Sequence, residues 1–528
     1  MKLLRDLINN SFIALSSLKT YIQENNYQTC YMFKKILIAN RGEIALRIAR
    51  TCREMGIKSV AVYSEIDRKA PFVYFADEAY ALEGKTSLET YLAIDKILDI
   101  CKKCRAQAVH PGYGFLAENA QFARKLEENG ITFIGPPADA IELMGKKTAA
   151  RKLMISANIP VVPGTESAIT SSSHARKIAG QIGFPILVKA SAGGGGKGMR
   201  LVYKESDFDA AVAAAQREAG SAFGNSDVYI EKFLEEPRHI EFQILADADN
   251  NIIHLGEREC SIQRRHQKII EEAPSCLLDN SMRRRMGQAA IHAAKACNYR
   301  NAGTIEFLVD KHRNFYFLEM NTRLQVEHPV TEMVSGLDLV REQLLIAAGE
   351  AMTRQNSMED FWGHAIECRI YAENSEDNFS PSPGLIHHIS PPGGPGIRED
   401  SGVTTGTEIS LFYDPMISKL CSWAANRPQA IKRMVRALSE YELHGIHSTI
   451  PFLIKVMQHP RFIKGDFTTN FIAEESNLFE SDAQKRAIAA LSAVILQQEE
   501  KDKKKFHITS QNGQTTWKTI KRRKILDR

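Results

Sequence analysis

The sequence predicts a multidomain protein of α/β and α+β class, and three observations carry that prediction. Near the start, an apolar run at 35–40 (KILIAN), a helical spacing set by Ile44, Arg47, Ile48 and Cys52, and a second apolar run at 59–63 follow in βαβ order. That order implies a parallel, doubly wound sheet. In the middle, residues 239–330 carry strand patterns joined by short polar loops, as an antiparallel sheet requires. Between the two lies a small α/β piece, 151–238, with four consecutive glycines at its centre.

The elements follow in order. After the βαβ unit come a helix at 92–104 and a short strand at 108–109. A loop at 110–119 (HPGYGFLAEN) enters a helix, and 132–135 closes the first domain. The βαβ unit itself carries no GxGxxG, which disfavours a dinucleotide site there. In the second piece, strands at 186–190 and 199–203 flank the glycine loop, a helix spans 207–219 and another strand 228–233. From Gly363 onward, short strands and turns alternate, including the Pro/Gly-rich 390–396, and a helix follows at 427–441. An amphipathic helix at 484–498 leads into a basic tail.

Bulk properties exclude several classes. A chain of 528 residues that is 44% hydrophobic and 25% charged has the composition of a soluble globular protein of about three domains. The net charge of +5 is misleading, because residues 501–528 alone carry +8 and leave the rest at −3. No nucleic-acid surface is implied, and the terminal basic run reads as a solvated tail. No apolar run approaches the roughly 18 residues that span a membrane. Nine scattered cysteines read as reduced thiols in a cytoplasmic protein, and the lone CxxC at Cys101 and Cys104 as a coincidence of helical spacing. Residues 1–31 resemble neither a signal nor a transit peptide, and the fold is expected to begin at Met32.

The most informative stretch is 306–325. Residues 304–310 and 315–320 read as strands joined by the polar loop 311–314, and a symmetric pairing sets Glu306 opposite Glu319. Opposed side chains lie roughly 5 Å apart at Cβ. Two carboxylates there repel by about 3 kcal/mol at an effective dielectric near 20. A hard cation between them relieves the repulsion, and oxygen ligands of this kind suit Mg²⁺ bridging substrate phosphates. Asn321 adds a third oxygen on the same face, with Arg323 and Glu327 close behind. The plain alternative is an exposed hairpin with scattered charge.

The glycine loop 191–198 (SAGGGGKG) allows backbone N–H groups to wrap phosphate oxygens without Cβ clashes. It joins two strands rather than a strand and a helix, so it is a hairpin tip able to close as a lid. Lys189 on the preceding strand favours this over a flexible linker, since an unpaired buried lysine is costly and a phosphate removes the cost. At 231–234, backbone groups are placed to meet a base edge and Phe233 to pack on it. His239, Gln263, His266 and Lys268, unremarkable singly, would together form a cationic wall facing the metal.

The ordered strings HPGYGFLAEN, KASAGGGGKGMR, EKFLEEPRHIE, GERECSIQRRHQK, EFLV…FYFLEMNTRLQVEHPVTE and ECRIYAE resemble the biotin carboxylases, the ATP-grasp component of biotin-dependent carboxylases. The likeness runs from about residue 32 to about 475. It implies a Rossmann-like N-terminal (pre-ATP-grasp) domain at 32–146, an ATP-grasp domain at 147–350 with its glycine-rich lid at about 161–235, and a C-terminal mixed α/β domain at 351–478. Residues 1–31 form an appendage, and 479–528 the helix and tail.

The resemblance further implies that Lys147 and Lys189 hold the ATP phosphates, with Gly195 and Gly196 closing over them. Glu231, Lys232, Phe233 and Leu234 meet the adenine, and His239, Gln263 and His266 the ribose and phosphate side. Glu306, Glu319 and Asn321 ligate Mg²⁺ (or Mn²⁺). Bicarbonate sits against Lys268, Arg323, Gln325 and Val326, with Glu327 as base and Arg369 stabilising the biotin enolate. Lys197 stands where some members carry Arg, and Tyr371 where smaller polar residues are common. The only Met-Lys dipeptide is Met1-Lys2, so the biotin carrier protein and the carboxyltransferase are expected on other chains, contacted through 480–528. A homodimer is carried over from the family. Two competing readings stand beside this one. The first is another ATP-grasp ligase, such as half of a carbamoyl phosphate synthetase. The second is a catalytically silent subunit organising a carboxylase.

Overall fold

A computed structural model describes residues 32–479 apart from 166–167, 170–171 and 192–198, together with 488, 491–492 and 494–498. Two compact units divide at Leu478 and Phe479. In the second, the described residues of the predicted 484–498 helix are helical. The glycine-loop expectation, Gly195 and Gly196 included, and the 501–528 tail lie outside the described residues.

The first sheet is parallel, as the βαβ pattern predicts. Its five strands run Glu78–Ala81, Lys58–Tyr63, Lys35–Ile38, Ala108–His110, Thr132–Phe133 in spatial order. Apolar residues alternate to both faces of the central strand. Ile36 and Ile38 join the core on one side with Ile44, Ile48 and Cys52 of helix Gly42–Glu54. Leu37 joins the core on the other side with Ile97 and Cys101 of helix Ile94–Cys104. Cys101 and Cys104 are both buried and free, in keeping with a structural role.

A three-stranded antiparallel sheet follows, ordered Arg200–Val202, Ile186–Ala190, Val228–Lys232. Helix Phe208–Phe223 covers it through Phe208, Val212, Ala215 and Ala219. The strands flanking the glycine loop pair with each other, as a hairpin requires.

The dominant feature is an eight-stranded antiparallel sheet. Its order is Phe315–Asn321, Asn301–Val309, Arg238–Ala246, Ile252–Arg264, Gln267–Ala273, His364–Tyr371, Met416–Ala424, Ile397–Ser401. The expected antiparallel sheet at 239–330 supplies five of these strands. The other three come from beyond Gly363, so one hydrogen-bonded sheet runs through both regions. The period-two alternation of strands explains its two faces. Ile240, Phe242, Ile244, Ile305 and Phe307 point to one side and pack on Met282, Met286 and Ala290 of helix Asn280–Ala296. The residues between them, His239, Glu241, Gln243 and Glu306, are buried polar groups on the other side.

Arg258 anchors that polar side. It is fully buried, and its guanidinium donates to Glu241 Oε1 (2.5 Å), Gln243 Oε1 (2.8 Å), Thr331 Oγ1 (2.9 Å), Thr304 Oγ1 (3.0 Å) and Gln325 Oε1 (2.5 Å). Removing one partner of a buried ion pair costs about 3–5 kcal/mol, because the other charge is left uncompensated. Arg258→Met is therefore expected to lower the unfolding free energy by about that amount. Urea denaturation followed by circular dichroism checks it, and a midpoint unchanged from the parent protein contradicts it.

The carboxylate hairpin differs from expectation in an instructive way. Glu306 does pair with Glu319, but the symmetric register does not hold. Val309 faces Phe315 and Phe307 faces Phe317, so five residues, 310–314, form the loop instead of four. A bulge at Leu318 then absorbs one extra residue and restores Glu319 opposite Glu306. Asp310, expected in the strand, instead organises the loop by accepting from the backbone N–H groups of His312 and Asn314, both at 2.8 Å.

Candidate active site

A cleft of about 670 Å³ opens on the polar side of the large sheet, between it and the three-stranded sheet. Lys147, Lys189, Glu231, Lys232, Phe233, Leu234, His239, Gln263, His266, Lys268, Glu306, Glu319, Asn321, Arg323, Gln325, Val326, Glu327 and Arg369 all line it. The sequence-derived set, drawn from segments more than 200 residues apart, therefore meets in one space wherever it is described.

Cross-strand pairing builds the floor. Glu319, Glu306, Glu241 and Arg258 are successive partners across four adjacent strands, forming one row of charge. Lys268 reaches into this row. Its Nζ donates to Glu241 Oε2 (2.5 Å), Glu306 Oε1 (2.8 Å) and Glu327 Oε1 (2.7 Å). Burial alone would depress the lysine, but Glu241, Glu306 and Glu327 outweigh it and hold the amine well above its ordinary range. Lys268 is thus a permanent cation buried among carboxylates rather than part of an open cationic wall.

Glu306 Oε1 also accepts from Asn321 Nδ2 and Gln325 Nε2, both at 2.8 Å. Glu319 differs. Burial first, and then the Glu306 charge, raise its carboxyl above the ordinary value, while Lys147 and Lys268 only partly offset this. A carboxylate pushed up by its neighbour is an oxygen ligand short of positive charge. The pair Glu306 and Glu319, with the Asn321 oxygen, therefore fits a hard divalent cation held with substrate phosphates.

On the far side of Lys268, Glu327 is clasped from two directions. Oε1 takes the Lys268 bond, and Oε2 accepts from Arg369 at 2.9 Å. Burial pushes Glu327 up, but Lys268, Arg369 and Arg258 pull it down further, so it remains ionised below the usual carboxylate range. Arg369 also contacts Glu271, which burial and the Glu327 charge raise to about 7 despite Arg369. Arg323 is oriented by Glu118, whose Oε2 lies 3.0 Å from its Nε, and donates to Asn321 Oδ1 at 3.1 Å.

One further expectation needs correction. Lys189 is not unpaired, because its Nζ donates to Glu231 Oε2 at 2.5 Å. The Glu231 carboxylate is correspondingly engaged by Lys189 and Arg151 (3.1 Å), and its backbone lies within the strand pairing opposite Leu187. Sequence reasoning missed Glu118, Glu241, Arg258 and Glu271. For Glu241 the signal was available: in RHIEFQIL, His239, Glu241 and Gln243 alternate with Ile240, Phe242 and Ile244, giving a strand with one polar face inside the protein. Pro237, Leu308, Thr469 and Asn470 also line the cleft and were not anticipated.

Three family models match this chain in succession. They are the biotin carboxylase N-terminal domain at 32–141, the carbamoyl-phosphate synthase L chain ATP-binding domain at 146–355, and the biotin carboxylase C-terminal domain at 367–474. A biotin carboxylase from a Nostoc species is 53% identical over 442 residues, covering 84% of this chain and 99% of the relative. The chain belongs to the biotin carboxylase family. The models matched on either side of the ATP-binding domain are both of biotin carboxylase, which sets aside a carbamoyl phosphate synthetase half.

Other relatives of the biotin carboxylase kind are comparably near. The propionyl-CoA carboxylase alpha chain of Ruegeria pomeroyi is 49% identical over 486 residues, covering 87% of this chain and 71% of the relative. Among solved structures, the biotin carboxylase domain dimer of Hydrogenobacter thermophilus 2-oxoglutarate carboxylase, in complex with MgADP, ADP and bicarbonate, superposes with a TM-score of 0.82. It is 48% identical, with coverage of 85% of this chain and 99% of that one. Relatives so similar to this chain belong to different carboxylases, so the likeness does not select the final acceptor.

Proposed function

We propose that this chain carboxylates N1 of biotin on a separate carrier protein, consuming ATP and bicarbonate in the first half-reaction of a biotin-dependent carboxylase. The observation that carries the reading is the Lys268 bridge. One amine joins Glu306, on the nucleotide side, to Glu327, whose other oxygen meets Arg369. Groups suited to phosphoryl transfer and to carboxyl transfer thus share one centre.

In this mechanism, Lys147 and Lys189 hold the ATP phosphates, the 231–234 backbone and Phe233 hold the adenine, and His239, Gln263 and His266 line the ribose side. Gly195 and Gly196 close over the phosphates. Glu306, Glu319 and Asn321 hold Mg²⁺ or Mn²⁺, which when bound neutralises charge on the transferring phosphoryl group. Lys268, Arg323, Gln325 and Val326 orient bicarbonate. Glu327 accepts its proton as the bicarbonate oxygen attacks the γ-phosphate, releasing ADP and forming carboxyphosphate. Closure of the cleft excludes water from that labile species. It breaks down to CO₂ and phosphate, and the phosphate takes the N1 proton of biotin. Arg369 stabilises the biotin enolate, which attacks CO₂. A guanidinium suits the role because it stays charged and pairs with planar oxyanions.

A carboxyltransferase on another chain receives the carboxyl group, and the working form is a homodimer, a reading supported by the dimeric relative. We place the protein in the cytoplasm, a reading supported by eight described cysteines that are all free. Among the described residues no helix is long and apolar enough to cross a membrane. The test is phosphate release from Mg-ATP. Biotin-stimulated, bicarbonate-dependent release is expected. Release indifferent to biotin, or none under any condition, overturns the reading, the latter in favour of a silent organising subunit.

A further inference from the structure

Against the carbonyl of Val326 lies a lysine that the mechanism above does not use. Lys419, in strand Met416–Ala424, is fully buried, and it is the direct cross-strand partner of Arg369 on one side and of Asp400 on the other. Its Nζ donates to the carbonyl oxygen of Val326 at 2.9 Å. The same amine lies 3.1 Å from Glu43 Oε1 and 3.9 Å from Asp400 Oδ2. Glu43 stands in the first turn of helix Gly42–Glu54, and its Oε1 also accepts from the Tyr113 hydroxyl. The approach is tight here, since a Cβ on Gly402 would come within 2.6 Å of the Glu43 backbone nitrogen. Burying an ammonium requires partners that repay its lost hydration. Two carboxylates would serve that end, yet one of the amine's three bonding directions is spent on the Val326 carbonyl.

That carbonyl belongs to the peptide joining Val326 to Glu327. A donor on it fixes the peptide plane, and with it the direction in which Glu327 leaves the chain. We infer that Lys419 is a positioning residue for the bicarbonate half of the site: tethered to Glu43 and Asp400, it holds the Val326–Glu327 peptide so that Glu327 meets Lys268 and Arg369. The inference rests on the bicarbonate reading proposed above. It makes the N-terminal helix part of the catalytic support, acting through Glu43.

The experiment is steady-state phosphate release by the full chain with free biotin, titrating bicarbonate and ATP separately, in Lys419→Met and Glu43→Gln. A hydrogen bond from a charged donor is involved, so Lys419→Met is expected to raise the KM for bicarbonate about tenfold or more, with the KM for ATP within about twofold of the parent. Glu43→Gln keeps the amine but weakens its tether, and is expected to shift the bicarbonate KM the same way by about threefold. A merely structural lysine lowers the active fraction, which reduces kcat and leaves both KM values in place. Should Lys419→Met not fold, the Glu43→Gln shift decides. An unchanged bicarbonate KM, or ATP and bicarbonate KM values rising together, overturns the inference while the functional reading stands. No bicarbonate-dependent release by the parent chain overturns both.

Discussion

Glu306→Gln is expected to reduce biotin-dependent phosphate release by about 10²–10³-fold, the range seen when one preorganised electrostatic contact to a transition state is lost. The substitution is close to isosteric. The three donors on this carboxylate, Lys268, Asn321 and Gln325, all meet Oε1, and an amide oxygen can stand there. The fold should survive, because Lys268 keeps Glu241 and Glu327. What disappears is the negative charge facing Glu319, and with it half of the proposed cation site. The Mg²⁺ concentration for half-maximal release should rise in parallel. Phosphate release against Mg²⁺, with thermal denaturation as the control for folding, measures both. Activity within tenfold of the parent at an unchanged Mg²⁺ midpoint would falsify the assignment, and it would favour a site that organises rather than catalyses.

For Glu327→Gln the expected loss is about 10²–10⁴-fold in kcat, the usual contribution of a general base. The KM for ATP should stay within about threefold, since the proposed nucleotide site lies on the Glu306 side. Neither cation is orphaned: Arg369 retains Glu271, and Lys268 retains Glu241 and Glu306. The pH profile gives a second readout. Burial raises Glu327, but Lys268 and Arg369 lower it more, so the folded carboxyl titrates below its ordinary 4.5. A base with a depressed value remains deprotonated as pH falls, and its acid limb appears only beneath that value. Between about pH 5 and 7 the parent protein should therefore show no loss of kcat/KM for bicarbonate assignable to Glu327. An acid limb near neutrality that vanishes in Glu327→Gln contradicts the assignment.

Both variants probe residues that the local sequence pattern singles out. Local pattern made Glu306 and Glu319 a cross-strand pair, because period-two alternation and a short polar loop leave few registers. The register itself was not readable. Loop 310–314 is one residue longer than the pattern suggested, and the bulge at Leu318 compensates. A bulge depends on how neighbouring strands twist and pack, and nothing in FYFLEM marks it. Lys189 shows the same limit from the electrostatic side. Its position on a buried strand required a partner, but the partner, Glu231, lies 42 residues away on the adjacent strand.

Local sequence pattern was enough for the α/β start, the antiparallel strands, the carboxylate pair, the pairing of the two strands that flank the glycine loop and, through the motif strings, the family. These follow from local periodicity and residue chemistry, which act over a few positions. Only the tertiary structure decided that Lys268 is a buried cation among three carboxylates, that Arg258 and Glu241 underpin it, that Glu118 aims Arg323, and that Lys419 ties Glu43 to the loop bearing Glu327. Each of these is a charge whose state depends on partners brought close by strand order. Coulomb energy and desolvation depend on distance in space, and distance in space is what a linear pattern does not contain.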